Sequence, residues 1–543
     1  MSGDLEVVLH YHQATKHHIQ RYARGPGYMD WETQPDPFRR YHGAPLVHLD
    51  RNAGTFHDPP YDEAFSWGLT AATPLNARSI SWLFWNSLAL SAWKRAGESS
   101  WALRVNPSSG NLHPTEGYLL CGPVHGLSDE PGIYHYAPRE HALERRAVIP
   151  GDIWEGLTAG LSPESFLFGL SSIHWREAWK YGERAYRYCQ LDVGHAIAAV
   201  ALASSGLGWK ALLIDSPAGE SVSSLLGISG DSGPEGEHAD GLILIEPRPQ
   251  AGAGAFDLDI PKDSVLKNLP WQGKPHQLSP RHVRWEIIDA VARACRKPAT
   301  REMAQDRGGT DNGTPRTVRP GLSLSQLARQ RRSAVAMDGV SHMPATHFFA
   351  MLKRAVSGPG RAPHSALPWS PKVHLALFVH RVDELSPGLY LLPGRMDALP
   401  SLREAMRPDF VWKRPESCPD GLHLFRLVEG DFREAAMQLS CFQDIAGDGC
   451  FSAAMIAEFD DPLRSHGPWF YPRLYWECGL IGQVLYLEAE AAGLRATGIG
   501  CYFDDPTHQI LGLKSTQFQD LYHLTVGGPI EDNRLTTLPA YPA

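Results

Sequence analysis

Tyr181-Gly-Glu-Arg184-Ala-Tyr186 opens a segment that the chain uses twice. An apolar run follows it, then Ser205-Gly206-Leu-Gly208-Trp-Lys-Ala211-Leu-Leu-Ile214-Asp-Ser-Pro217, then Leu226-Gly227-Ile228. Tyr471-Pro-Arg473-Leu-Tyr475 leads in the same order to Ala492-Gly493-Leu494, Gly500-Cys501-Tyr502-Phe503-Asp504-Asp505-Pro506 and Leu511-Gly512-Leu513. Arg184 and Arg473 stand 289 residues apart, as do Pro217 and Pro506; Gly227 and Gly512 stand 285 apart. Pro131-Gly132-Ile133-Tyr134 and Pro387-Gly388-Leu389-Tyr390 form a fourth pair at 256, so the second copy carries extra residues after this element, including Arg407 to Gly430. Four matches in one order predict two similar folds in tandem.

A chain of 543 residues exceeds one ordinary core, and 43% apolar with 20% charged residues is the balance of globular domains. The reading is a first domain over 1–250, a linker with one helix and an exposed loop over 251–320, and a second domain over 321–543. Arg248 to His282 is rich in Pro and Gly, Arg301 to Pro320 is polar with Gly-Gly and Asn-Gly turns, and the helix-like Arg281 to Arg296 lies between them. Helical spacing covers Ile80 to Trp93, Leu191 to Ser205 and Leu480 to Ala492, whereas Ala211 to Ile214, Gly241 to Ile245 and His374 to Val379 are short β-like runs. Helices on a central sheet satisfy both patterns.

With 51 basic and 60 acidic residues the net charge is −9, and no basic stripe is present to neutralise a phosphate backbone, which argues against nucleic acid. Met1 to Gln13 has no basic-then-apolar leader, and no apolar run is long enough to span a membrane; a cytoplasmic protein is expected. The eight cysteines, at 121, 189, 295, 418, 441, 450, 478 and 501, form no Cys-x-x-Cys pair and read as reduced core residues.

Three segments carry candidate chemistry. Arg104-Val-Asn106-Pro107-Ser108-Ser109-Gly110-Asn111-Leu-His113-Pro114-Thr-Glu116 offers hydroxyls and an amide on a backbone tightened by Pro and Gly, suited to the edge of a flat heteroaromatic ring; the alternative is a turn that starts a helix at Pro114. Arg329-Gln-Arg331-Arg332-Ser333, after the helix-like Leu322 to Ala328, suits a phosphate, since each guanidinium presents two parallel donors; the alternative is a solvated basic helix end. Asn76-Ala-Arg78-Ser79 is a weaker version in the first copy. Gly493-Leu-Arg-Ala-Thr497-Gly498-Ile499-Gly500 links a helix to a strand, either as a connector or as a place where a cofactor approaches the main chain. Gly206-Leu-Gly208-Trp-Lys-Ala211 matches a degenerate dinucleotide pattern, but helix precedes strand there, the reverse of what that motif requires. Phosphate-loop, H-E-x-x-H and G-x-S-x-G signatures are missing, and His17-His18 has no ligand-spaced partner, so no metal site is expected.

Asn106-Pro-Ser-Ser-Gly-Asn-Leu-His-Pro-Thr-Glu116, the Gly-Ile-Tyr run at 132 to 134, and Lys180-Tyr181-Gly-Glu-Arg-Ala-Tyr-Arg-Tyr188 leading to Gly194-His195 resemble the SagB-type dehydrogenase branch of the nitroreductase superfamily. Arg331-Arg332-Ser333 is similar to that superfamily's N-terminal Arg-Arg-Ser element. The resemblance covers roughly Asn76 to Arg248 and Leu322 to Arg534. It implies an α+β fold, each copy a central, mainly antiparallel sheet flanked by helices, the two forming an intrachain pseudo-dimer. It also implies FMN in the interface, held by both copies.

The first copy keeps the Pro-Ser-Ser-Gly-Asn loop and lacks the double arginine; the second keeps the arginines but has Leu367-Pro-Trp-Ser-Pro-Lys372 in place of the loop. One composite site follows from the resemblance, with Pro107, Ser108, Ser109 and Asn111 facing FMN held by Arg331, Arg332, Ser333 and Thr497, Gly498, Ile499 and Gly500, and with Arg534 as a second phosphate ligand. The mirror site around Arg78 and Ser79 is expected to be degenerate. The implied activity is hydride transfer between flavin N5 and a small organic substrate. Lys180-Tyr181 resembles the pair assigned general-base work in azoline-oxidising members; the alternative is a surface lysine beside a packed tyrosine. NADH or NADPH is the candidate electron donor. An azoline-type dehydrogenase of a modified-peptide pathway and a non-catalytic flavin-binding scaffold stay open, as does assembly into a homo-oligomer.

Overall fold

The computed structural model describes residues 2–541 except 54–55, 67–68, 231–232, 249–257, 302–320, 357 and 359. From residue 302 onward the polar loop expected up to Pro320 lies outside the described residues, as do residues 249–257 of the Pro- and Gly-rich stretch.

Two antiparallel sheets organise the chain. The first runs Leu46–His48, Ala142–Val148, Gly132–Ala137, Thr115–Cys121, Phe166–Ile173, Glu237–Glu246, Lys210–Ile214. The second runs Phe425–Glu429, Gly388–Leu392, Val373–Val379, Phe451–Glu458, Phe518–Gly527, Arg495–Ile499. The last six strands of the first sheet have the same order as the six of the second, so the repeat read from four short matches is a repeat of topology. Phe425–Glu429 therefore stands where Ala142–Val148 stands, and the extra chain lies before it, between Leu392 and Phe425, rather than including 425–430. Phe166–Ile173 and Phe518–Gly527 are buried at every position, as strands covered on both faces must be.

The helices Ala185–Gly206 and Tyr471–Ala491 pack on each other at the centre, and nearly every side chain on both is buried. A helix covered on all sides needs no polar face. Glycines let their backbones touch: a Cβ on Gly194 would stand 2.2 Å from the Trp476 carbonyl oxygen, and one on Gly479 would stand 2.1 Å from that of Leu191. Around this crossing the repeat becomes reciprocal. Arg184 of the first copy pairs with Asp504 of the second at 3.2 Å, and Arg473 of the second pairs with Asp215 of the first at 2.7 Å. Arg184 and Arg473 stand 289 apart, and so do Asp215 and Asp504. A two-fold interface exchanges equivalent partners in this way.

The C-terminus adds a third tie. Thr536–Leu538 pairs with Leu90–Ala96, which pairs with Ser99–Arg104, so the end of the second copy completes a three-stranded sheet begun by the first. The helix expected to reach Trp93 stops at Trp85: Asn76 caps its start, and from Leu90 the chain is a strand. Apolar Leu88, Leu90 and Ala92 sit at alternate positions, which fits a strand as well as the end of a helix. No described helix is long and apolar enough to cross a membrane.

Candidate functional site

A cleft of about 620 Å³ opens between the halves, lined from both. Pro107, Ser108, Ser109, Asn111, Lys180 and Tyr181 reach it from the first; Arg331, Arg332, Ser333, Thr497, Gly498, Ile499 and Gly500 reach it from the second. Arg534 does not line it. That side chain is 87% exposed and pairs with Asp532, because the chain at 532–534 turns on its own aspartate instead of pointing inward.

The 106–116 loop enters the strand Thr115–Cys121, not a helix. Its conformation is fixed internally: Ser108 Oγ accepts the His113 N–H at 2.8 Å, and Asn111, at φ 61°, donates its side-chain amide to the Ala102 carbonyl. Asn111 thus shapes the loop with the group assigned to a ligand. Ser109 donates its N–H (3.1 Å) and its hydroxyl (3.2 Å) to Asp192, which is buried on the central helix. Burial pushes the Asp192 carboxyl up to about 7, against the opposing bonds from Ser108 and Ser109. Gly110, at φ 56°, has no room for a side chain: a Cβ would stand 2.5 Å from the Tyr181 hydroxyl and 3.1 Å from Lys180 Nζ. Loop, lysine and tyrosine therefore form one contact at the cleft wall. Burial also pushes the Tyr181 phenol well above its ordinary value.

The opposite end is cationic. Arg331 is buried and crosses to the first half, donating Nε to the Val105 carbonyl (3.1 Å) and Nη2 to that of Arg104 (3.3 Å), while its Nη1 has no partner. Arg332 donates to Ser91 Oγ (3.2 Å) and the Arg329 carbonyl (2.8 Å). Burial, then the charge of Arg331, pushes the Arg332 guanidinium down to about 10. Lys94 and Arg495 line the same end, the latter paired with Glu531 at 2.6 Å. Four cations lining the cleft, one of them with a buried guanidinium nitrogen that lacks a partner, suit an anion.

Between these ends lies a floor of tyrosines and glycines. The Tyr486 hydroxyl accepts the Gly498 N–H at 2.7 Å and shares a hydrogen bond with Ser333 at 2.9 Å, and Thr497 donates to the Ala334 carbonyl at 2.8 Å. A Cβ on Gly498 would meet the Tyr522 hydroxyl at 1.8 Å, and one on Gly500 would meet the Tyr188 ring at 2.3 Å. Glycine is required there by ring packing rather than by backbone angle.

The mirror region is built differently. Arg78 is more than half exposed and pairs with Asp50 at 3.5 Å, and Ser79 is spent in the capping box with Asn76. The positions 289 beyond Lys180 and Tyr181 are Trp469 and Phe470; Phe470 packs with Trp369 of the Leu367–Lys372 segment, and Trp469 packs on Phe470 and under Arg473. Asp192, Lys94, Arg495, Tyr486 and Tyr522 were missed as site residues. Asp192 had a signal, a lone carboxylate inside an apolar helix; Lys94 lay just past the end of the helix expected to reach Trp93, on a strand that was not foreseen.

No family model matches the chain. A crystal structure of a candidate nitroreductase from Anabaena variabilis superposes with a TM-score of 0.68 at 20% identity, covering 96% of this chain and 99% of that one. A candidate nitroreductase of Methanocaldococcus jannaschii is 24% identical over 143 residues, 25% of this chain and 67% of that protein. The E. coli microcin synthetase McbBCD complex with truncated pro-MccB17 bound includes a chain matching 46% of this one at 16% identity, TM-score 0.26. The fold is α+β and nitroreductase-like, with two such halves packed as a pseudo-dimer inside one chain.

Proposed function

We propose that the chain is an FMN-dependent oxidoreductase with one composite cofactor site, produced by duplication of a single nitroreductase-like domain, the copies occupying 1–250 and 321–543 about the linker 251–320. The observation that carries this reading is the buried, partnerless Nη1 of Arg331 at the cationic end of a cleft to which both halves contribute. Arg331, with Arg332, Lys94 and Arg495, would hold the phosphate; Ser333 and the Thr497–Gly500 loop would take the chain and ring system; and the Pro107–Asn111 loop would face them from the first half. FMN, when bound, supplies the hydride chemistry. The residues do the rest. Asp192 keeps the Ser108-Ser109 loop in place, Tyr181 walls the substrate space, and Lys180 Nζ takes or returns the substrate proton. NADH or NADPH is the proposed donor for reduction of a small acceptor. The juxtaposition of Lys180 with the loop favours a second reading, dehydrogenation of an azoline-like substrate.

Arg331→Met tests the site. Purified wild-type protein is expected to release FMN on heating, and the variant to bind added FMN about a hundredfold more weakly, since it loses a charge-assisted donor. Equal flavin affinity in both proteins removes Arg331 from the site; no flavin in either leaves a duplicated scaffold.

Asp192→Asn tests the loop support. The folded carboxyl titrates near 7 against an ordinary value of 3.8, so the folded state binds more protons and wild-type stability falls as pH rises from about 4 to about 7. The variant lacks this loss and should gain about 4 kcal/mol over wild type across that window in thermal melts. Its turnover profile should also lack an inflection near 7. Parallel stability curves would show that Asp192 titrates normally.

A further inference from the structure

Cys441 and Cys501 depart from the expectation of eight inert core thiols. The other six cysteines are buried, whereas these two are half-buried, and Cys501 lines the cleft. Their sulfurs stand 2.7 Å apart, inside the contact distance of two separate thiols. Sixty positions separate them in sequence, but the two segments are tied together: Phe503 donates its N–H to the Leu439 carbonyl at 2.8 Å, and the Gln443 side chain donates to the Cys501 carbonyl at 3.1 Å and to that of Ser440 at 2.7 Å. Cys441 and Phe442 both adopt left-handed angles, φ 54° and 60°, a costly pair for non-glycine residues. That turn brings the Cys441 sulfur onto Cys501. Tyr22 packs on His17 and Phe503 beside them.

We propose that Cys441 and Cys501 form a reversible dithiol–disulfide couple at the mouth of the cleft, one that exchanges with low-molecular-weight disulfides. Cys501 is the attacking sulfur. The shared hydrogen bond with Cys441 holds its thiol down to about 5, burial opposing and His17 assisting, whereas the same bond pushes Cys441 upward. The Cys501 thiolate attacks one sulfur of the small disulfide; that S–S bond breaks, one small thiolate leaves, and a mixed disulfide forms on Cys501. Cys441, its proton passing to solvent, then attacks the Cys501 sulfur, forming the Cys441–Cys501 bond and expelling the second small thiolate. Two protein thiols are oxidised, and one disulfide is reduced to two thiols. The couple stands one residue beyond Gly500, so its state fixes or frees the end of the glycine loop. None of this depends on which cofactor the cleft holds.

The test uses the full-length protein equilibrated with graded mixtures of reduced and oxidised glutathione, quenched, alkylated and peptide-mapped. A Cys441–Cys501 linked peptide is expected to appear with rising oxidised glutathione and to disappear on return to reduced, with the six buried cysteines unreacted until denaturation. Cys441→Ser should trap glutathione on Cys501; Cys501→Ser should carry roughly tenfold less adduct on Cys441. Failure of the link to form in native wild-type protein, or its formation only after denaturation, overturns the proposal, and the wild-type map does so whether or not either variant folds.

Discussion

Asp504→Ala is expected to destabilise the folded chain by about 3–5 kcal/mol, because it strands buried charge. Arg184 and Arg187 are each about 1% exposed, and both turn on this carboxylate, at 3.2 and 2.7 Å. Their other donors go to uncharged acceptors, Arg184 to the Thr15 and Gly500 carbonyls and Arg187 Nε to the Thr15 hydroxyl. The mirror pair is less exposed to the same loss. Arg473 meets Asp215 alone but also donates to the Trp469 carbonyl and stacks on the Trp469 and Trp476 rings, so Asp215→Ala should cost less. Burial opposes ionisation of Asp504, but Arg184 and then Arg187 outweigh it and hold the carboxyl far below the ordinary carboxylate range. The folded value being depressed, this stability is present above about pH 4 and is lost as pH falls below it. Asp504→Asn should therefore flatten the acid limb of the stability curve as well as lower its plateau. Arg184 also donates to the Gly500 carbonyl, so loss of flavin should accompany loss of stability. Denaturant melts of both alanine variants measure the difference; equal midpoints with wild type would show that these ion pairs contribute nothing to holding the halves together.

The repeat was legible because the interface is made of the repeated residues themselves. Arg184 and Asp504 can each be matched to a counterpart at an offset of 289, and these four residues pair reciprocally across the interface. The loop and the Arg-Arg-Ser element were legible for a related reason, since each is a dense polar cluster in a short window, and the cleft brings them together. What escaped was whatever depends on contacts remote in sequence. Arg534 reads as a free cation at the end of a domain, but Asp532 two residues earlier captures it. Leu90 and Ala92 satisfy a helix end until Arg104 and Leu103 pair with them as a strand, and the far C-terminus pairs with Trp93, Lys94 and Arg95 beyond them. The Cys441–Cys501 pair has no local motif at all, because a left-handed turn and two tertiary hydrogen bonds create it. Asn111 was read as a ligand for its amide, which the structure spends on the Ala102 carbonyl.

Lys180→Met is expected to lower turnover by about 10²–10⁴ while leaving flavin content unchanged, the span a positioned proton-transfer group contributes. The side chain is half-buried at the cleft wall, 5.3 Å from the centre of the Tyr181 ring, and Gly110 leaves it no slack. It is remote from the cationic end, so its loss should not loosen the cofactor. Glu177, one turn earlier on the same helix, does not neutralise it: both carboxyl oxygens lack partners, and burial followed by the Asp192 charge pushes this acid well above its ordinary range. Lys180 thus faces the cleft beside an acid whose burial opposes its ionisation. Lys180→Arg separates two roles. A guanidinium keeps the charge but cannot release its proton near neutral pH, so an arginine variant as slow as the methionine one assigns Lys180 to proton transfer, and one near wild type assigns it to electrostatic positioning. Gly110→Ala should mimic the defect by pushing on the Tyr181 hydroxyl and Lys180 Nζ without touching the amine's chemistry. The second copy carries Trp469 and Phe470 at the corresponding positions, so it offers no amine to substitute for the loss. Full turnover in Lys180→Met would therefore leave the substrate's proton to solvent and return the enzyme to simple nitro- or quinone-type reduction, a reaction that needs the cofactor site but not this lysine.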